Sequence, residues 1–233
     1  MAGRGRGAAE PDGTGLTLRP VGEDALLLGV DAPERVAALY ALLLDRRAEL
    51  PAITEIVPAA ATVLLDGVAD RAALVRALRD WTVPEHPPPD GPSVVVPTVY
   101  DGSDLAEVAG MWGVSPEAAV RIHTEPKYRV AFCGFAPGFG YLTGLAERYE
   151  VPRRSTPRSA VPAGSVALAG PFTGVYPRSS PGGWQLLGRT ALALWDTGRE
   201  PAALLAPGTR VRFTAVAEAD LGDAGRAGGV SGG

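Results

Sequence analysis

The sequence predicts an α+β N-terminal domain followed by a mainly β domain built as a barrel, on three observations. Between Leu16 and Trp81 the pattern strand, strand, helix occurs twice. Residues 83 to 92, VPEHPPPDGP, are half proline, which forbids helix and favours an extended, semi-rigid spacer. Beyond them, after two short helical patterns, β-type segments separated by turn signals about every eight to twelve residues run to Phe213, the rhythm of a closed sheet.

In the first domain, residues 15 to 82, Leu16 to Val21 and Ala25 to Val30 read as paired strands. Val36, Leu39, Tyr40 and Leu43 then recur at i, i+3, i+4 and i+7, the apolar face of a helix, with Asp31 placed as its N-cap and Glu34 three residues on in capping-box spacing. Ile53 to Ala59 and Thr62 to Asp66 form the second strand pair, and Leu74, Ala77, Leu78 and Trp81 form the second helical face behind the cap candidate Asp70. Each helix needs a sheet to cover its apolar face. A four-stranded sheet with both helices on one side leaves its other face or edge to a partner or to the second domain.

The second domain, residues 93 to 221, opens with the strand SVVVPTVY (Ser93 to Tyr100). The helical patterns Ser103 to Trp112 and Ser115 to His123, joined at Gly113 and Val114, have the outline of a helix-turn-helix. A recognition helix, however, needs polar and basic side chains for bases and phosphates, and here only Arg121 is available, set against Glu117. With Leu105, Val108, Ala109 and Trp112 as an apolar stripe, the pair reads as two helices packed on a barrel. Strands follow at Ser165 to Ala169, Thr173 to Tyr176 and Trp184 to Arg189. Residues 1 to 14 and 222 to 233, rich in Gly, Ala and Ser, are expected to be disordered tails.

A formal charge of -4, from 22 basic and 26 acidic residues, gives no global attraction to phosphate backbones or anionic membranes, so neither nucleic acid nor a lipid surface is expected as partner. A single cysteine, Cys133, excludes an internal disulfide, and His86 and His123 have no second ligand at metal spacing, so no structural metal is expected. No apolar core follows Arg4 and Arg6, and Ala37 to Leu44 is too short to span a bilayer; the expectation is a cytoplasmic protein. Cys133 has no histidine or base beside it in sequence and reads as a buried core thiol.

The densest punctuation lies in Val161 to Thr190, VPAGSVALAGPFTGVYPRSSPGGWQLLGRT, where glycine and proline alternate around the short strands. Glycine admits positive φ and close approach while proline stiffens the neighbouring chain, so this stretch reads either as the rigid wall of a site or as a tightly turned barrel without chemistry. Oriented backbone N–H groups at Gly164, Ser165, Gly182 and Gly183 suit an oxyanion or carboxylate, or else only satisfy turns. Ser165 and Ser180 are the hydroxyl candidates, but neither lies in a G-x-S-x-G elbow and no complete triad is present. Trp184 either closes a pocket or fills the barrel. Arg153, Arg154 and Arg158 fall within six residues; Arg158, three residues before the glycine-rich stretch, is the preferred guanidinium fork for a carboxylate, with Arg189 of the same character and Asp196 its alternative ion-pair partner. His123, at a helix end that favours its protonated form, is placed to titrate near neutrality and move a proton, or is structural. In Gly134 to Leu142, GFAPGFGYL, Phe135 and Phe139 flank Pro137 and Gly138 and suggest a rigid aromatic-walled loop; no P-loop signature occurs in the chain.

The runs VPAGSVALAG (Val161 to Gly170), TGVYP (Thr173 to Pro177), SPGGW (Ser180 to Trp184) and GRT (Gly188 to Thr190), with VPTVYDG (Val96 to Gly102), GFAPGFGYL, PRRSTPR (Pro152 to Arg158) and PGTRVRF (Pro207 to Phe213), resemble the family that holds the B subunit of 5-oxoprolinase, sporulation-kinase inhibitors and allophanate hydrolase subunit 1. That family is similar to half of the carboxyltransferase domain of urea carboxylase. The resemblance is strong from Val96 to Phe213 and holds in outline over the first eighty residues or so. It implies a cyclophilin-like barrel for the second domain and a histidine in a functional role at position 123. It further implies a non-autonomous subunit of an ATP-dependent hydrolase that opens 5-oxoproline to L-glutamate with A-like and C-like partner subunits, ATP being needed by the complex and no nucleotide motif being visible in this chain. The other function the resemblance implies is a binding module that inhibits a sensor histidine kinase; peptidyl-prolyl isomerisation rests on fold analogy alone.

Overall fold

The computed structural model describes residues 15–88 and 92–222, and the chain divides into two compact units, Met1–Pro89 and Asp90–Gly233. Most of the regular structure is β, with a few short helices, and the larger sheet is nearly closed. The expected tails lie outside the described residues apart from Gly222, as do residues 89–91 of the expected spacer.

In the first unit, β1 (Leu16–Val21), β2 (Ala25–Val30), β4 (Thr62–Asp66) and β3 (Glu55–Pro58) form an antiparallel sheet in the order β1-β2-β4-β3. Alternation sends Leu26 and Leu28 of β2 and Val63 and Leu65 of β4 into one core with Leu39 and Leu43 of α1 (Val36–Asp45) and Leu74 and Leu78 of α2 (Arg71–Leu78). Asp70 caps α2, its carboxylate accepting from the Ala73 N–H at 2.8 Å. The expected capping box at Asp31 is absent. A 3-10 turn at Pro33–Arg35 intervenes, α1 starts only at Val36, and the Asp31 carboxylate instead accepts from the Arg35 guanidinium at 2.6 Å, which holds its pKa below the usual carboxylate range. Trp81 lies beyond the end of α2 but is buried in the same core. Val83 is buried there too, and its carbonyl accepts from Arg35 at 2.6 Å, so the first residue of the expected spacer packs with the unit before it.

The second unit carries a seven-stranded sheet in the order β12-β9-β10-β7-β6-β13-β5, from β5 (Ser93–Thr98), β6 (Tyr128–Cys133), β7 (Gly140–Thr143), β9 (Ser165–Ala169), β10 (Phe172–Val175), β12 (Gln185–Arg189) and β13 (Arg210–Ala215). Its pairings are antiparallel except β13 with β5. The two edges meet where Val99 and Arg189 exchange two backbone hydrogen bonds of 2.9 Å, one residue beyond β5 and at the end of β12. Gly188 makes this seam possible, because a Cβ there would collide with the Val99 carbonyl. A small two-stranded arm, β8 (Arg158–Val161) with β11 (Ser180–Gly182), stands apart from the main sheet. Val94, Val96, Tyr128, Val130, Leu142, Val166, Val175, Val211 and Phe213 fill the sheet's interior. Two short helices lie outside it: α3 (Leu105–Met111) against β12, and α4 (Pro116–Thr124), capped by Ser115 on the Ala118 N–H at 3.3 Å, against β13. No helix among the described residues is long and apolar enough to cross a membrane.

Candidate functional site

A candidate site is a cavity of about 360 Å³ in the second unit, lined by Phe135, Phe139, Tyr141, Pro152, Arg153, Ala169, Gly170, Phe172, Tyr176, Pro181, Gly182 and Trp184. Its wall is an aromatic lattice. Phe139 is edge-on to Tyr176 at 5.3 Å, to Trp184 at 5.4 Å and to Tyr141 at 5.0 Å, and Tyr141 is edge-on to Phe172 at 5.5 Å. Such pairs each add about 0.5–1.5 kcal/mol beyond burial, so the rings brace one another into a fixed shape. The strands dictate this grouping: Tyr141 on β7 and Phe172 on β10 come from paired neighbours, and Phe139 enters just before β7. Gly174 leaves the gap that the Phe139 and Trp184 rings occupy, since a Cβ there would stand 2.9 Å from each.

Phe135 sits at the rim. Its φ of 64° is left-handed although it is not glycine, and it is 60% exposed, edge-on to Phe139 and Tyr176. Such a backbone costs on the order of 1–3 kcal/mol and is sustained here by the hydrogen-bonded turn in which Phe139 N–H reaches Ala136 and Gly134 N–H reaches Phe139.

Arg153 is the cavity's cation. Among the described residues it has neither an ion pair nor a hydrogen bond, and its charge faces the Tyr141 and Tyr176 hydroxyls, whose pKa values burial raises and Arg153 partly lowers again. Its two neighbours in sequence behave differently. Arg158 donates to both carboxylate oxygens of Asp104, at 2.6 and 2.9 Å, to Ser103 Oγ at 3.0 Å and to the Trp184 carbonyl at 3.4 Å; Arg154 donates to Asp104 at 2.9 Å. The expectation that Arg158 offers a free fork to a ligand is therefore corrected: the protein's own buried carboxylate occupies it. Arg189 is also occupied, by Asp101 at 2.8 Å and Glu218 at 2.6 Å, while Asp196 accepts from the Gly198 N–H instead.

Of the residues singled out in the sequence, Gly182 and Trp184 line the cavity, as do Phe135 and Phe139 of the aromatic-walled loop and Arg153 of the arginine cluster; Arg158, Gly164, Ser165, Ser180, Gly183, Arg189 and His123 do not. The Gly164 N–H donates to the Tyr176 carbonyl at 2.7 Å and the Ser165 N–H to Pro162 at 3.3 Å, so two of the four N–H groups expected to cradle an anion are engaged by the fold. Ser180 pairs with Val161 in the small arm, and the Gly183 carbonyl accepts from the Arg154 N–H at 2.8 Å.

His123 is fully buried on α4, between Tyr100, Tyr128 and Phe213, whose ring is 4.6 Å away; Tyr100 Oη and His123 Nδ1 share a 2.7 Å hydrogen bond. Burial lowers its pKa to about 3, which overrides the pull of the helix C-terminus toward the protonated form. The expected titration near neutrality is corrected accordingly. Cys133 is half-buried, its thiol donating to the Leu205 carbonyl at 3.2 Å and pushed up to about 11 by burial, so it stays protonated. No group of three or more His, Cys, Asp or Glu among the described residues is arranged to hold a metal ion.

The sequence pointed to this wall through GFAPGFGYL and SPGGW but not to Arg153 as its cation. Which arginine of PRRSTPR is free depends on Asp104, some fifty residues earlier, and nothing local in the sequence marks that pairing.

The chain is similar to known proteins in sequence and in fold. Residues 16–205 match the family described as carboxyltransferase domain, subdomain C and D. The chain is 41% identical over 202 residues to the 5-oxoprolinase B subunit of Escherichia coli O157:H7, covering 83% of this chain and 93% of that protein. Among solved structures, TTHA0988 superposes with a TM-score of 0.70 at 37% identity over 86% of this chain, which spans 40% of that longer chain. The Kluyveromyces lactis urea amidolyase shares the fold alone, at 18% identity and a TM-score of 0.67, over 95% of this chain and 16% of its own. The chain thus belongs to the family of 5-oxoprolinase B subunits, within the carboxyltransferase domain, subdomain C and D, class.

Proposed function

We infer that this chain is the B subunit of an ATP-dependent 5-oxoprolinase that opens 5-oxoproline to L-glutamate together with A-like and C-like partner subunits, and that its aromatic cavity receives the substrate. Family membership supplies the reaction. The observation that carries the chain's part in it is a guanidinium without a partner among the described residues, Arg153, at an aromatic cavity of about 360 Å³. A flat five-membered lactam fits between rings, and its carboxylate is the complement of Arg153.

The cavity's titratable lining groups are Tyr141, Tyr176 and Arg153, of which the tyrosines keep their protons at neutral pH. None of the three is a base or an activated nucleophile there, so the cavity binds and orients, and its tyrosine hydroxyls can donate hydrogen bonds to the lactam carbonyl. The lactam carbonyl is a poor electrophile, which is why ATP is consumed to activate it. That step belongs to the complex. His123 is read as a core residue. The second unit is read as a cyclophilin-like barrel domain, the first as an α+β domain, and the protein as cytoplasmic.

A second reading is favoured by the apolar surface around the rim, where Phe135 and Trp195 are exposed and Pro137, Pro177, Arg178 and Trp195 line a shallow depression. Such a surface suits a protein partner, including a kinase domain.

The test is Arg153→Ala in the reconstituted assembly. Losing a charge-assisted bond of about 1.5–3 kcal/mol should raise KM for 5-oxoproline by roughly ten- to a hundredfold, with kcat changed much less. A KM unchanged within twofold or so rejects the cavity as the carboxylate site.

A further inference from the structure

Asp104 is 2% exposed, and taking a carboxylate out of water is strongly unfavourable unless donors replace the water. Here the replacement is complete. Oδ1 accepts from Arg154 at 2.9 Å and Arg158 at 2.6 Å, and Oδ2 accepts from Arg158 at 2.9 Å and from the Leu186 backbone N–H at 2.7 Å. The main chain is fastened at the same place, with the Asp104 N–H on the Leu186 carbonyl at 3.1 Å and the Gly102 N–H on the Leu187 carbonyl at 3.0 Å. Gly102 is required for this approach, because a Cβ there would collide with Leu186.

The two arginines carry the connection onward. Arg158 reaches the Trp184 carbonyl at 3.4 Å, and the Arg154 N–H donates to the Gly183 carbonyl at 2.8 Å. Trp184 lines the cavity, and Arg153, its cation, adjoins Arg154. One buried carboxylate therefore adds a charged clamp between two segments of the cavity wall, one with its cation and one with its tryptophan, which are also joined directly by the Arg154 N–H on Gly183, by Gln185 Nε2 donating to the Pro152 carbonyl at 3.2 Å and by the pairing of Gly182 with Arg158.

We propose that Asp104 is a positioning residue that fixes Arg153 and Trp184 relative to each other through Arg154 and Arg158, and thereby sets the affinity of the cavity for a small carboxylate. The inference rests on the reading of the cavity as a substrate site. Its structural half is tested without substrate.

Asp104→Asn keeps the shape and removes the charge. Hydrogen exchange should become at least about tenfold faster in peptides covering residues 152–158 and 182–187, while β13 and the first unit exchange as in the parent. In the reconstituted assembly KM for 5-oxoproline should rise about tenfold or more with kcat within about threefold. Should Asp104→Asn fail to fold, Arg158→Lys, which keeps the charge but loses the fork, answers the same question with a smaller rise in both readouts. Unchanged exchange in those two peptides, or exchange raised evenly across the unit, overturns the positioning role. Locally faster exchange with KM unmoved, in the face of an Arg153→Ala variant whose KM does rise, overturns its link to affinity. If Arg153→Ala also leaves KM unmoved, it is the substrate reading of the cavity that fails, and the exchange result alone decides whether Asp104 orders the wall.

Discussion

At the scale of single residues, burial and pairing decide what the charged and titratable groups are able to do. His123 ends an exposed-looking helical pattern in the sequence, yet α4 turns it inward against Tyr128 and Phe213, and the neutral imidazole becomes part of the core. The sign of its pH effect follows. The unfolded chain takes up a proton near pH 6.5, whereas the folded protein does so only near pH 3, so the stability tied to the neutral ring is fully present above pH 6.5 and is progressively lost as pH falls from there toward 3. His123→Gln cannot protonate. Its melting temperature should lie below the parent's at pH 8 because core packing is disturbed, and it should fall less steeply than the parent's between pH 7 and 5. Turnover of the folded variant in the assembly should drop less than about fivefold; a loss of about 10²-fold with unchanged melting behaviour would instead make His123 a proton-transfer group. The arginines teach the same lesson. Sequence order made Arg158 the attractive fork, and the distant Asp104 takes it.

At the scale of elements, periodicity was readable wherever one face of a segment is buried. Strands β1, β2 and β9 have the limits that their flanking turn residues suggest, Gly15 and Gly22, Asp24 and Asp31, and Gly164 and Gly170. The helix at α1 starts where its apolar pattern starts but later than the cap candidate Asp31 implies, since a 3-10 turn at Pro33–Arg35 and the Asp31–Arg35 pair come first. The β8–β11 arm was not legible: Arg158–Val161 and Ser180–Gly182 are too short and too polar to carry an alternation signal. The seam of the sheet was equally silent, although its glycine is in plain view. Gly188→Ala should open it, because the new methyl would overlap the Val99 carbonyl, a backbone atom that cannot rotate away. Gly110→Ala is the contrasting substitution, on α3 with open space around the added Cβ, and should stabilise by about 0.5–1 kcal/mol. Urea denaturation of both variants checks the pair; a Gly188→Ala protein as stable as the parent would mean that the two edges are not closed there.

At the scale of the whole molecule, the second unit offers a cavity walled by braced aromatic rings with one cation, Arg153, in its lining. Its family motifs were readable because glycine, proline and aromatic residues at fixed spacing reflect turns and ring contacts that a wall of this shape needs, as in GFAPGFGYL and SPGGW. How the work is divided among the subunits was not readable in those motifs. The cavity lining adds only that its titratable groups are the cation Arg153 and two protonated tyrosines. The most direct measurement of the central claim is ATP-dependent glutamate release from 5-oxoproline by this chain alone, by its A-like and C-like partners without it, and by all three together. The account predicts release only from the complete mixture. Robust release by the isolated chain, or full activity of the partners without it, would contradict it.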